Sequence, residues 1–112
     1  MKKTKEEEQI YKDALSKYGD FAQLDQLVEE VGELLQALNK VKRKMPHGYR
    51  FVVKPNKSTS IDYSLAYYNA CSEIADVRIM LKQMEYIFDK EAIDLAEERS
   101  LEELSNRLSN NE

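Results

Sequence analysis

The sequence predicts an all-α protein of four helices in one domain, with a long irregular segment between the second and third helices. Glycine and proline are scarce, at 3 and 2 of the 112 residues, and charged residues make up 34%. Such a composition is typical of a mostly helical protein. Apolar residues also recur at the three- and four-residue spacing of one helical face. The length suits a single domain spanning residues 1–112.

The first two predicted helices meet at Gly19. Helix 1 is expected from about Thr4 to Tyr18, and helix 2 from about Phe21 to Arg43. Gly19 suits the end of helix 1, because glycine adopts the left-handed backbone that often follows a helix, and Asp20 suits the N-cap of helix 2. The apolar stripe of helix 2, which is expected to face the core, consists of Leu24, Leu27, Val28, Val31, Leu34, Leu35, Leu38 and Val41.

Residues 45–60 are the one irregular region that the sequence predicts. Pro46 and Gly48 end helix 2 there. A loop of this length in a compact helical domain is usually functional or disordered. The segment is therefore interpreted either as a lid that neutralises substrate phosphates or as a solvated connector, and its basic residues are Arg50, Lys54 and Lys57.

Helix 3 is expected from about Ile61 to Phe88, with Ser60 or Asp62 as its cap, and helix 4 from about Glu91 to Leu108. Helix 3 is apolar on more than one side, and a small core buries only a modest area. Its second face is therefore expected to meet another subunit of a homodimer or homotetramer. Its core-like residues are Ala66, Ala70, Ile74, Val77, Leu81, Met84 and Phe88.

Two pairs of carboxylates stand at helical spacing, Glu30 with Glu33 on helix 2 and Glu73 with Asp76 on helix 3. Residues three apart project from the same side of a helix. Glu73 falls inside the apolar arc of helix 3, and Glu30 flanks the stripe of helix 2. A carboxylate buried there shifts its pKa, finds a partner or binds a cation. Four carboxylates from two packed helices suit Mg²⁺, with Mn²⁺ as an alternative.

The alternative is a purely structural role, in which these side chains lie on solvated acidic faces or, in the case of Glu73, form a neutral carboxyl in the core. Acidic residues occupy 21 of the 112 positions, so an EExxE string alone is weak evidence. Two pairs that both border apolar stripes favour a metal site and, with it, metal-assisted phosphate chemistry.

The segment from Gln26 to Leu38, QLVEEVGELLQAL, resembles the EExxE half-motif of the MazG-like nucleotide pyrophosphohydrolases. The segment from Glu73 to Leu81, EIADVRIML, resembles their ExxD half-motif. The resemblance covers roughly residues 18–108. It implies a four-helix all-α bundle that assembles as dimers or tetramers. It also implies Mg²⁺-dependent hydrolysis of a nucleoside or deoxynucleoside triphosphate to the monophosphate and pyrophosphate.

Carried over to this chain, the resemblance implies that the metal ligands are Glu30, Glu33, Glu73 and Asp76, with Glu29 in a supporting catalytic role or as a ligand to a second metal. The sequence departs from the family in its longer segment between the half-motifs. It also has Ser100 where the last helix is expected to carry a lysine for the phosphates. The candidates for substrate binding are therefore Asn69, Arg99, Asn106, Arg107 and Lys54.

Charge and composition exclude several other classes. The net charge of −4 argues against a nucleic-acid binder that relies on a broad basic face. No apolar run approaches the roughly 20 residues that span a bilayer, and the first residues lack the apolar stretch of a secretory signal. The single cysteine, Cys71, is expected to be a small buried residue, in keeping with a cytoplasmic location.

Two other functions compete with hydrolysis. A di-iron carboxylate bundle needs Glu-x-x-His motifs, and the only histidine, His47, falls in the predicted loop. A non-catalytic helical interaction protein, in which the acidic residues are only surface or structure, stays as the alternative.

Overall fold

The computed structural model describes residues 4–46 and 48–110, and it confirms the all-helical prediction. The helices are α1 (Lys5–Tyr18), α2 (Asp20–Lys44), α3 (Ile61–Met84) and α4 (Lys90–Asn110). No strand occurs within the described ranges. His47, predicted to be a loop residue, lies outside them. Within the same ranges, none of the helices is both long enough and apolar enough to cross a membrane.

A single glycine separates α1 from α2. Gly19 has a φ of 87°, which residues with a side chain rarely adopt, and its N–H donates to the carbonyl of Leu15 at 2.9 Å. Helix α2 begins directly after Gly19, so the prediction that Asp20 is the N-cap is wrong. Asp20 is instead the first helical residue, where its negative charge is favourable beside the helix N-terminus.

The segment between α2 and α3 contains turns and bends but no helix or strand in its described residues, 45, 46 and 48–60. Tyr63 of α3 is 1% exposed, and its hydroxyl donates to the carbonyl of Val53. Ser60 caps α3 by accepting a hydrogen bond from the N–H of Tyr63 at 3.1 Å. The second half of the segment is therefore attached to the first turn of α3.

Helix α3 ends at Met84, four residues before the predicted end. Residues 85–88 turn back on themselves, and the N–H of Tyr86 donates to the carbonyl of Gln83 at 2.9 Å. Asp89 then accepts a hydrogen bond from the N–H of Glu91 at 3.0 Å, which satisfies a donor of the first turn of α4. The break separates α4 from the rest of the chain.

Helices α2 and α3 form an antiparallel pair that contains most of the core. A cluster of buried residues joins the second half of α2 to the first half of α3, and it comprises Ala37, Val41, Tyr63, Ala66 and Ala70. Further along α3 lie Val77, Met80 and Met84, also buried. Helix α1 covers this end of the pair through Tyr11, whose ring centroid lies 6.1 Å from that of Tyr86.

Part of the predicted core is exposed in the single chain. The exposed fraction is 72% for Val28 and 57% for Leu35 on α2, and 53% for Leu81 on α3. The reason is that the apolar surface of each helix is wider than the side that its partner helix covers. Cys71, expected to be buried, is exposed as well.

Helix α4 stands apart from the other helices. Its backbone does not come within 8 Å of α1, α2 or α3, and none of its residues is buried. The described residues therefore form a three-helix body and a separate fourth helix, instead of the predicted bundle of four. Four of its exposed apolar residues lie within about 80° of one another around the helix axis, and they are Ile93, Leu101, Leu104 and Leu108.

Candidate metal centre

Three of the predicted ligands come together between α2 and α3. One carboxylate oxygen from each of Glu30, Glu73 and Asp76 lies within 4.8 Å of the others. Glu30 follows Gln23 by seven positions on the buried face of α2, and Glu73 lies between Ala70 and Val77 on that of α3. The helical repeat that buries these apolar neighbours also points both glutamates into the interface. Asp76 approaches from its exposed edge.

The two glutamates contribute oxygens without partners. Oε2 of Glu30 and Oε2 of Glu73 are buried, and neither has a hydrogen-bond partner among the described residues. The other oxygen of Glu30 accepts a hydrogen bond from the side-chain amide of Gln26 at 2.9 Å. A buried anionic oxygen with no partner is unfavourable. Hard divalent cations prefer carboxylate oxygens, so these donors fit Mg²⁺ or Mn²⁺.

Glu33 borders the cluster instead of joining its three closest oxygens. The negative charge of Glu30 is the main cause that raises the pKa of Glu33 above its usual range. Partial desolvation and the charges of Glu73, Glu29 and Asp76 add to the same effect. Glu29 is exposed, and it affects the site through its negative charge, which helps to raise the pKa of Glu33.

Three clefts surround the carboxylates. The carboxylate cleft, about 300 Å³, is lined by Glu33, Gln36, Ala37, Lys40, Asn69 and Glu73. The lysine cleft, about 380 Å³, is lined by Lys40, Lys44, Asp62, Leu65, Ala66 and Asn69. The methionine cleft, about 240 Å³, lies on the other side of the cluster and is lined by Gln26, Glu30, Asp76, Ile79 and Met80.

Of the predicted substrate-binding residues, the structure brings only Asn69 to the carboxylates. Asn69 lines both the carboxylate cleft and the lysine cleft. Lys54 is exposed in the segment before α3 and does not line any of the three clefts. The other three belong to α4, whose backbone stays away from α2 and α3 in the same chain, and they are Arg99, Asn106 and Arg107.

Sequence reasoning missed Lys40, Lys44 and Gln26. Lys40 follows Glu33 by seven residues and Lys44 follows by four more, so helical periodicity places all three side chains on one face. Gln26 lies one turn before Glu30 on α2. The signal is present in the spacing, but basic residues near the C-terminus of a helix are favourable there in any case, so the spacing alone does not assign them to a site.

Comparison with protein-family models finds no match, and comparisons with curated proteins and with solved structures find none either. The function is therefore inferred from the side chains and clefts of the chain itself.

Proposed function

We propose that the protein is a Mg²⁺-dependent nucleoside triphosphate pyrophosphohydrolase that converts a nucleoside or deoxynucleoside triphosphate to the monophosphate and pyrophosphate. One observation carries the proposal. Glu30, Glu73 and Asp76 bring three carboxylate oxygens within 4.8 Å of one another, and Glu30 and Glu73 each keep a buried oxygen without a hydrogen-bond partner. The resemblance of the EExxE and ExxD segments to MazG-like enzymes supports the same reaction.

The side chains divide the chemistry between them. Glu30, Glu73 and Asp76 would hold Mg²⁺, which would supply Lewis-acid activation of water and neutralise phosphate charge. Glu33 lines the same cleft as Glu73, so its carboxylate is placed to take a proton from the attacking water. Gln26 fixes the orientation of Glu30 through its amide. Asn69 supplies an amide to the phosphates from one turn before Glu73.

The protein acts, in this proposal, as a homo-oligomer. The single chain exposes 9179 Å², roughly 2,800 Å² more than the approximately 6,400 Å² expected for a compact monomer of 13.1 kDa. Its radius of gyration is 17.8 Å, against about 13 Å for a compact chain of this length. A standard interface buries about 800 Å² per partner, so the excess is sufficient for an extensive subunit contact.

The exposed apolar faces also favour a second candidate, a non-catalytic helical interaction protein. Val28 and Leu35 on α2 and the apolar residues of α4 are available to any partner with a complementary surface. The two candidates differ in their response to metal. A site of three or more carboxylates is stabilised by the cation that it binds, whereas an interaction module has no reason to melt differently with Mg²⁺ or Mn²⁺.

The proposal is tested by incubating the purified protein with a panel of nucleoside and deoxynucleoside triphosphates, with and without Mg²⁺, and separating the products. Monophosphate and pyrophosphate are expected, and only with metal. The Glu73→Gln variant is expected to lose this turnover and the rise of Tm with Mn²⁺, because it loses a ligand without changing shape. Asp25→Asn, which removes an exposed carboxylate on the same α2 helix, is the matched control.

Diphosphate and phosphate as products would assign the carboxylates to a different phosphohydrolase. Unchanged Mg²⁺-dependent turnover in Glu73→Gln would contradict the site itself. If no nucleotide is turned over and the Tm does not change with Mg²⁺ or Mn²⁺, the result would favour the non-catalytic interaction protein over the enzyme.

A further inference from the structure

We propose that Lys40, assisted by Asn69, forms the subsite that holds the pyrophosphate end of the substrate. The triphosphate then lies along α2, from the carboxylates towards Lys44, and the nucleoside lies in the methionine cleft on the opposite side. This inference rests on the proposed function, since it assigns an orientation to the substrate of that reaction.

The clefts are arranged as the orientation requires. Lys40 and Asn69 line both the carboxylate cleft and the lysine cleft, so the two clefts adjoin each other at these side chains. Lys40 comes seven residues after Glu33, which corresponds to about 10 Å along the helix axis. Asn69 precedes Glu73 by one turn, or about 6 Å. A phosphate chain that begins at the carboxylates therefore reaches the amide first and the lysine next.

Of the two lysines, Lys40 is better placed than Lys44 to bind the phosphates. No ion pair joins Lys40 to another of the described residues, so its charge is available to a ligand. Lys44 lies 3.8 Å from a carboxylate oxygen of Asp62. That carboxylate offsets part of the positive charge of Lys44, even though the pair is exposed and loose. A variant at Lys40 is therefore expected to have the larger effect.

The methionine cleft has the opposite character. Its lining contains Glu30 and Asp76 but no basic side chain, so it repels the multiply charged end of a triphosphate. Ile79 and Met80 offer an apolar surface, and the amide of Gln26 offers hydrogen bonds. These groups fit a neutral base and sugar better than they fit phosphates, so the nucleoside is assigned to this side.

The test measures binding of inorganic pyrophosphate by isothermal titration calorimetry in the presence of Mg²⁺. It compares the wild-type chain with Lys40→Gln, Lys44→Gln and Lys42→Gln. Lys42 is the matched control, because it is an exposed lysine of α2 about 200° around the helix from Lys40. Lys40→Gln is expected to weaken pyrophosphate binding about tenfold, the loss of one charge-assisted hydrogen bond. Lys44→Gln should weaken it less, and Lys42→Gln hardly at all.

Mn²⁺ binding and Tm are measured on the same variants to separate this inference from the proposed function. Unchanged Mn²⁺ affinity with weaker pyrophosphate binding in Lys40→Gln supports the subsite. Equal pyrophosphate affinities in Lys40→Gln and Lys42→Gln, or no pyrophosphate binding by a wild type that binds Mn²⁺, overturn the subsite and leave the metal site standing. A wild type that binds no divalent cation overturns the proposed function, and the subsite falls with it.

Discussion

Glu33 is the residue whose environment gives the clearest electrostatic prediction. Its pKa is raised in the folded chain, first by the charge of Glu30, so the folded state holds this proton more tightly than the unfolded state. Ionised Glu33 therefore opposes folding. The penalty is absent below the ordinary glutamate pKa of 4.5 and complete once the pH exceeds the raised value.

Glu33→Gln is accordingly expected to melt at a higher temperature than the wild type at pH 7 without divalent cations. The difference should shrink as the pH is lowered towards 4.5. Calorimetry of both proteins across this pH range checks it, with Asp25→Asn as the control for removing a charge on α2. A variant that melts below the wild type at neutral pH would mean that Glu33 is held by a favourable contact, not by repulsion.

At the scale of single residues, the sequence predicts the position of Glu73 well, because the angle of a residue around the helix axis depends only on the helical repeat. Glu73 is half-buried and has a buried oxygen, as its place inside the apolar arc predicts. Glu30 was placed at the edge of its stripe, yet it is half-buried on the side of α2 that faces α3. The helical wheel could not decide which side of the wide apolar stripe of α2 meets α3, and that choice determines the depth of Glu30.

Among the helices, α4 gives rise to the most direct prediction, which concerns its exposed apolar face. Leu104 is 44% exposed in the single chain and lies on the apolar face of a helix that approaches no other helix. Leu104→Gln should therefore disturb the fold of the chain very little. In an assembly that buries this face, the same change removes apolar contact and reduces the assembled fraction.

Leu95→Gln is the control, because Leu95 is also exposed but lies about 180° around the helix from Leu104. Light scattering after gel filtration gives the masses of both variants. Equal masses for wild type, Leu104→Gln and Leu95→Gln would show that this face of α4 takes no part in assembly.

Helix ends were predicted well where a single residue determines them. Ser60 caps α3 as one of the two predicted candidates, and Gly19 ends α1 as expected. The end of α3 was missed, because residues 85–88 contain no glycine or proline and tertiary packing, not propensity, stops the helix there. Tyr86 turns back towards α1, where its ring contacts that of Tyr11. Sequence periodicity does not predict such a contact between distant residues.

For the whole molecule, the excess surface predicts that stability depends on concentration. If subunits bury α4 and the outer faces of α2 and α3, dilution shifts the equilibrium towards an unstable monomer. The Tm should therefore fall as the protein is diluted, and the mass at high concentration should be a multiple of 13.1 kDa. Analytical ultracentrifugation and calorimetry over a concentration series check both. A mass of one chain and a constant Tm throughout would contradict assembly.

The carboxylate cluster is formed within one chain, whereas α4 has no partner helix among the described residues of its own chain. Glu30, Glu73 and Asp76 all belong to one chain, whereas α4 approaches no other helix of the chain that makes it. If α4 packs against a neighbouring subunit in the proposed oligomer, loss of Glu73 impairs the subunit that carries the change, whereas damage to α4 impairs the neighbour. Under that arrangement, coexpression of a Glu73 variant with an α4 variant is expected to restore activity, because a subunit with intact carboxylates then receives an intact α4 from its neighbour.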